Sequence, residues 1–195
     1  MKKIFLILSA TLLFTITNNA QETHFGVKAG ANFASLDTDP GDNFDSRLGL
    51  NIGGLAHIHL SPRFALQPEL VYSMQGGKRD GSVGKLNYIN LPVLAQVMFG
   101  NGFRFQTGPQ LGFLVSAKLE QPEDHEIDIK DSYETIDLGW VVGISYMCPQ
   151  GLGGDIRYNH GLTDITESDL LDQKNRVFQV GLFYQFMHNN KAKAK

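Results

Sequence analysis

One cysteine, Cys148, stands among the 195 residues, so the chain can build neither an internal disulfide framework nor a multi-thiolate metal site. Beyond its first segment no apolar run approaches the roughly 18 residues of a membrane helix. Charge of one sign is lacking too, with 17 basic and 20 acidic side chains and a net charge of −3. The only basic cluster is the short tail Lys191, Lys193, Lys195, which excludes a nucleic-acid binder working by phosphate neutralisation. No GxSxG, Walker or zinc-protease spacing occurs, and no cofactor is expected. What remains is a glycine-rich chain that is 42% apolar, with 13 phenylalanines.

The first residues read as an address. Met1, Lys2 and Lys3 give a positive start, and Ile4 to Ile16 is apolar apart from Ser9, Thr11 and Thr15. This layout predicts a secretory signal peptide over 1–20, cut near Ala20 and Gln21, followed by one domain over 21–187 and a polar basic tail over 188–195.

From His24 onward the chain alternates. Phe25, Val27, Ala29, Ala31 and Phe33 share one parity, opposite Gly26, Lys28, Gly30 and Asn32. Successive strand side chains point to opposite faces, so each such run has one apolar and one polar face. The pattern recurs at 103–118, 136–146 and 176–186, and more weakly at 47–60, 64–76, 86–99 and 153–165. That predicts eight strands with no helical pattern between them.

The connections alternate as well. Ser61-Pro62-Arg63, Gly100-Asn101-Gly102 and Pro149-Gln150-Gly151 are tight turns, whereas 37–46, 77–85, 120–134 and 166–174 read as longer polar loops. An even number of strands, with short turns at one end and long loops at the other, predicts an all-β fold. It is an eight-stranded antiparallel up-and-down transmembrane β-barrel with short periplasmic turns and long extracellular loops.

Strands of this length suit a tilted span of roughly 9 to 11 residues, so the apolar parity should face lipid. Phe25, Phe64, Phe99, Phe103, Tyr146, Tyr184 and Phe186 would then form an aromatic girdle at the periplasmic interface. The polar parity becomes a lumen too narrow for anything but side chains. There Lys28, Arg47, Glu69, Arg104, Asp137, Asp155 and Arg157 are expected to form a charge network, with amides such as Asn32, Gln96 and Gln106 around them. Pro68, Pro92 and Pro109 lie inside predicted strands and are read as bulges or strand shifts.

Hidden chemistry has few candidates. His57 and His59 share a face and would hold Zn²⁺ given an acidic partner from a neighbouring strand, but lumen polarity explains them equally well. His160 and Asp164 are the only pair placed for a lipid-acting barrel enzyme. The acidic loop Asp37, Asp39, Asp42, Asp45 lacks the glycine and terminal glutamate of a calcium loop. The expected protein is a non-enzymatic monomer in outer-membrane lipid with a narrow or plugged lumen and a structural, assembly or surface role. The alternative is a soluble periplasmic barrel with its apolar face turned inward around a small apolar ligand.

Several segments resemble the porin-like outer-membrane β-barrel family common in Bacteroidetes and related to the PorT proteins. They are FGVKAGANFASL from Phe25, LQPELVYSMQG from Leu66, LNYINLPVLAQVMF from Leu86, FQTGPQLGFLVSA from Phe105 and FQVGLFYQF from Phe178. The resemblance implies an eight-stranded outer-membrane barrel, the three prolines at familiar positions, and envelope or secretion-system proteins as partners. Such barrels commonly end on an aromatic residue, whereas here Phe186 is followed by Met187 to Lys195.

Overall fold

The computed structural model describes residues 22–39, 44–122, 125–166 and 172–186; the expected signal peptide and the basic tail lie outside them. Eight long strands follow in order: β1 (Thr23–Asp39), β2 (Asp45–His59), β3 (Phe64–Arg79), β4 (Ser82–Met98), β5 (Phe103–Glu120), β7 (Ile136–Met147), β8 (Leu152–Gly161) and β9 (Asp172–Gln185). The short β6 (Glu126–Asp128) and one 3-10 turn, Lys130–Ser132, interrupt the connection from β5 to β7. Every pairing is antiparallel, and β1 pairs with both β2 and β9, which closes the eight long strands into a barrel. β6 pairs only with the end of β5, outside the circle.

Alternation decides which side is which. Along β1 the side chains of Lys28, Asn32, Ala34 and Leu36 are buried in the lumen, while Phe25, Val27 and Phe33 are exposed on the outside. The same holds around the barrel, where Leu48, Leu50, Ile52, Leu70, Val142, Ile144, Ile156, Val180 and Leu182 all point outward. A soluble barrel with an apolar interior is thereby overturned, because the inner face is the polar one.

Three expectations need correction. Pro68 faces Val93, Pro92 faces Gln110 and Pro109 faces Trp140 in registers that keep the same offset on either side, so none of the three is a bulge or shift. A proline removes one N–H from the ladder but need not displace its neighbours. The real shifts lie nearer the loop end, between Ser46 and Asn51 on β2 and at Asn87/Tyr88 on β4, opposite Leu114 and Ser116. Past the second of these, Ala117 turns inward and Lys118 outward, the reverse of simple parity.

The segment 77–85 is no long loop. Arg79 pairs with Ser82 across the two-residue turn Asp80-Gly81, whose φ values of 50° and 78° have the positive sign of a type I′ turn. β3 and β4 therefore extend past the barrel as a hairpin. Finally, β8 ends at Gly161, not at 165.

Candidate functional site

The lumen is built in layers. At its centre Lys28 of β1, Glu69 of β3 and Asp155 and Arg157 of β8 meet from three strands, two cations with two carboxylates. Arg157 holds Glu69 through Nη1–Oε2 and Nη2–Oε1 contacts of 2.8 Å each, and Asp155 through Nη2 at 2.9 Å. Lys28 Nζ lies 3.3 Å from both Glu69 Oε2 and Asp155 Oδ2, and Gln67 Nε2 donates to Glu69 Oε1 at 2.7 Å. Fork geometry and opposed charge make such a buried arrangement self-consistent, whereas any lone member would be costly. Gly143 makes room for it, since a Cβ there would lie 2.9 Å from Arg157 Cγ.

Above this tetrad Asn51 and Gln179 both donate to Asn32 Oδ1, at 2.6 and 3.0 Å, and Asn32 Nδ2 donates to Ser73 Oγ at 2.9 Å. At the loop end the interior turns apolar. Leu36, Leu86, Tyr88, Leu114, Ala117 and Ile165 form a buried cluster with Phe44, Ile129 and Tyr133 packed against it. Asn175 ties this plug to the polar wall, donating to Tyr88 Oη at 3.3 Å and to Asp137 Oδ2 at 2.8 Å.

Of the seven charges expected to form one network, four do so and three stand apart. Arg47 donates to the Gln75 carbonyl near the loop end. Asp137 is held by Asn175 and Thr163. Arg104 sits at the turn end, where Nη2 reaches Met147 Sδ at 3.0 Å.

The histidines do not gather a metal centre. The rings of His57 and His59 meet edge to face at 4.5 Å and His24 lies 5.5 Å from His59, but no three His, Cys, Asp or Glu side chains among the described residues are placed to hold an ion. His160 points outward beside Tyr158 and Arg176, while Asp164 accepts from the Thr166 and Gln173 amides, so the two do not assemble as a catalytic pair.

On the outer face the seven aromatics of the turn end are all exposed, with Phe103 against Tyr146 at 4.9 Å and Tyr184 against Phe186 at 5.6 Å. A second belt, missed in the sequence reading, rings the loop end: Phe33 and Tyr158 both pair with Phe178, and Tyr72 and Trp140 are outward too. Phe25 and Phe33 are about 26 Å apart along β1 at the usual rise, or about 20 Å along the axis at the usual tilt. That is close to the height of a lipid-facing apolar band. Trp140 satisfies its indole N–H by donating to Thr107 Oγ1 at 2.9 Å.

Beyond this belt stands an ion-paired arm. Lys85 bridges Glu120 at 2.6 Å and Glu126 at 2.8 Å, and Lys118 reaches Glu126 at 2.9 Å. Hydrogen bonds from Lys85 and Lys118 hold the Glu126 carboxyl down, to about 2. Hydrogen bonds to Glu120 and Glu126 raise Lys85 in turn.

Residues 19–167 match a family described as "Outer membrane protein beta-barrel domain". Among solved structures the chain is similar to Neisserial surface protein A (NspA), with a TM-score of 0.61 and 17% identity over 83% of this chain and 97% of that one. It is also similar to Ail, the attachment invasion locus protein of Yersinia pestis, with a TM-score of 0.55 and 14% identity over 85% and 99%. At these identities the likeness concerns the fold. No curated protein sequence matches the chain.

Proposed function

We propose, from the premise that this chain belongs to the outer-membrane β-barrel domain family, that it is a non-enzymatic, non-conducting barrel whose work is done by its extracellular rim. The observation that carries this reading is the lumen, crossed at mid-height by the Lys28, Glu69, Asp155, Arg157 tetrad and stoppered at the loop end by Tyr88 and its apolar neighbours. A route for solute would have to break both. What the barrel offers instead is a stiff arm of β3, β4, β5 and β6, held past the belt by Lys85 and Glu126. Such an arm suits a surface-interaction or envelope-assembly role. Two structural neighbours, Neisserial surface protein A and the attachment invasion locus protein of Yersinia pestis, bear names that agree with this direction.

The finer placement among PorT-related barrels of Bacteroidetes rests on the segments given above and adds envelope or secretion-system proteins as partners. In the same reading the chain is exported by a cleaved signal peptide and works as a monomer in outer-membrane lipid.

The test is an epitope inserted between Asp80 and Gly81 in cells that carry the protein. Surface labelling of intact cells, fractionation with outer membranes, and the absence of ion steps in planar bilayers are the expected results. Labelling only after lysis, or resolved conductance steps, would overturn the reading.

A further inference from the structure

The turn end of the lumen holds a charge that its surroundings do not balance. Arg104 is 5% exposed, yet its hydrogen bonding among the described residues amounts to one contact, from Nη2 to the thioether of Met147, and Nη1 has no partner there. The other two cations of the lower lumen are paired with carboxylates, because Lys28 and Arg157 share Glu69 and Asp155 between them, although Arg157 Nε has no partner among the described residues. Asp155 is the register partner of Ser145, next to Arg104, but it is already committed to that tetrad. A guanidinium does not shed its proton, and a lone buried charge is costly unless something of opposite sign meets it.

Polar atoms able to donate stand beside Arg104 without a partner among the described residues. Ser145 lies directly across from it in the β5–β7 register, and Gln106 is the next inward residue on β5. Gln96 Nε2 already donates to Gln106 Oε1 at 2.8 Å, which orients the Gln106 amide with Nε2 left to donate. Gln106 Nε2 is a donor and Ser145 Oγ a hydroxyl able to donate, both without a partner among the described residues, as is the acceptor Gln96 Oε1. His57, whose Nε2 is likewise unpartnered, lies within electrostatic reach of Arg104.

We propose that the turn end of the lumen binds a small inorganic anion of halide size through Arg104 Nη1, Gln106 Nε2 and Ser145 Oγ. The narrow bore of an eight-stranded barrel, which side chains largely fill, favours an ion of that size. An anion there supplies the charge that the tetrad supplies to Arg157, and it ties β5 to β7 at the Arg104–Ser145 register pair.

The full-length barrel in detergent micelles is melted while bromide replaces gluconate at constant ionic strength. The midpoint should rise with bromide and saturate, as expected for a ligand that binds only the folded state. Arg104→Met should abolish the response; should that variant not fold, the Gln106→Leu/Ser145→Ala double variant should raise the half-saturating bromide concentration at least tenfold. Crystals grown in bromide should show an anomalous peak beside Arg104. A wild type whose melting ignores bromide, variants that respond as the wild type does, or a bromide peak found only elsewhere would each overturn the site.

Discussion

Arg157 grips Glu69 through two parallel contacts of 2.8 Å although 88 residues separate them along the chain, and both side chains are sealed from solvent. The pair joins β3 to β8 across the bore, so it braces strands that share no backbone hydrogen bonds.

The first prediction concerns that brace. Glu69→Leu alone leaves Arg157 with half of its partners and should destabilise the barrel by about 3–5 kcal/mol. The paired replacement Glu69→Leu with Arg157→Met removes both charges of the fork and should recover much of the loss. Urea unfolding in micelles gives the comparison. If the double variant falls further than the single one, the charges matter for more than mutual compensation.

A second prediction uses the one tryptophan of the chain. Trp140 is 44% exposed on the outer face and bonded to Thr107. In bilayers its fluorescence should be quenched strongly by brominated acyl chains and weakly by aqueous iodide. The reverse pattern would mean that the apolar face does not meet lipid.

The third concerns pH. Glu126 is held at about 2 against an ordinary value of 4.5. A depressed carboxyl lends its stabilisation above the unfolded value, so the arm should keep its ion pairs at neutral pH. It should lose them progressively as pH falls from about 4.5 to 2. The group is exposed, so the effect is small and screened by salt. A carboxyl-carbon titration by NMR should place the Glu126 midpoint near 2 at low salt, and Glu126→Gln should release Lys118. A midpoint at the ordinary value would show that the arm does not hold this geometry in solution.

Strand parity was legible because a period of two is a local property, and it placed Lys28, Glu69, Asp155 and Arg157 on one face from sequence. Their convergence was not legible, because it depends on the stagger between strands, which no local pattern encodes. Arg47, Arg104 and Asp137 have the same parity but different heights, so they miss the network. The shift opposite Asn87 and Tyr88 was equally silent, and it is what exchanges Ala117 with Lys118. Two features had signals that went unused. Asp80-Gly81 is a local hairpin signature masked by the glycine and charge around it, and Leu86 and Tyr88 carry lumen parity but look out of place there because they are apolar.

The second of these residues supplies the last prediction. Tyr88 is fully buried, packs with Leu36, Leu86 and Leu114, and accepts from Asn175 through its hydroxyl. Tyr88→Phe keeps the ring and forfeits that one hydrogen bond, about 1 kcal/mol, while Asn175 retains Asp137. Tyr88→Ala removes the ring that fills the bore, at about 3–5 kcal/mol in barrel stability. Stability alone would not separate a stopper from an ordinary core residue, so access has to be read as well. A cysteine placed at Leu36, itself 1% exposed, should resist a membrane-impermeant thiol reagent added to intact cells. It should react readily once Tyr88→Ala is added and stay protected with Tyr88→Phe. Cys148 serves as the internal control, because it lies in the β7–β8 turn at the opposite end of the barrel and should not react from outside. Equal labelling of the Leu36 position in all three backgrounds would mean that the extracellular mouth is closed by something other than Tyr88.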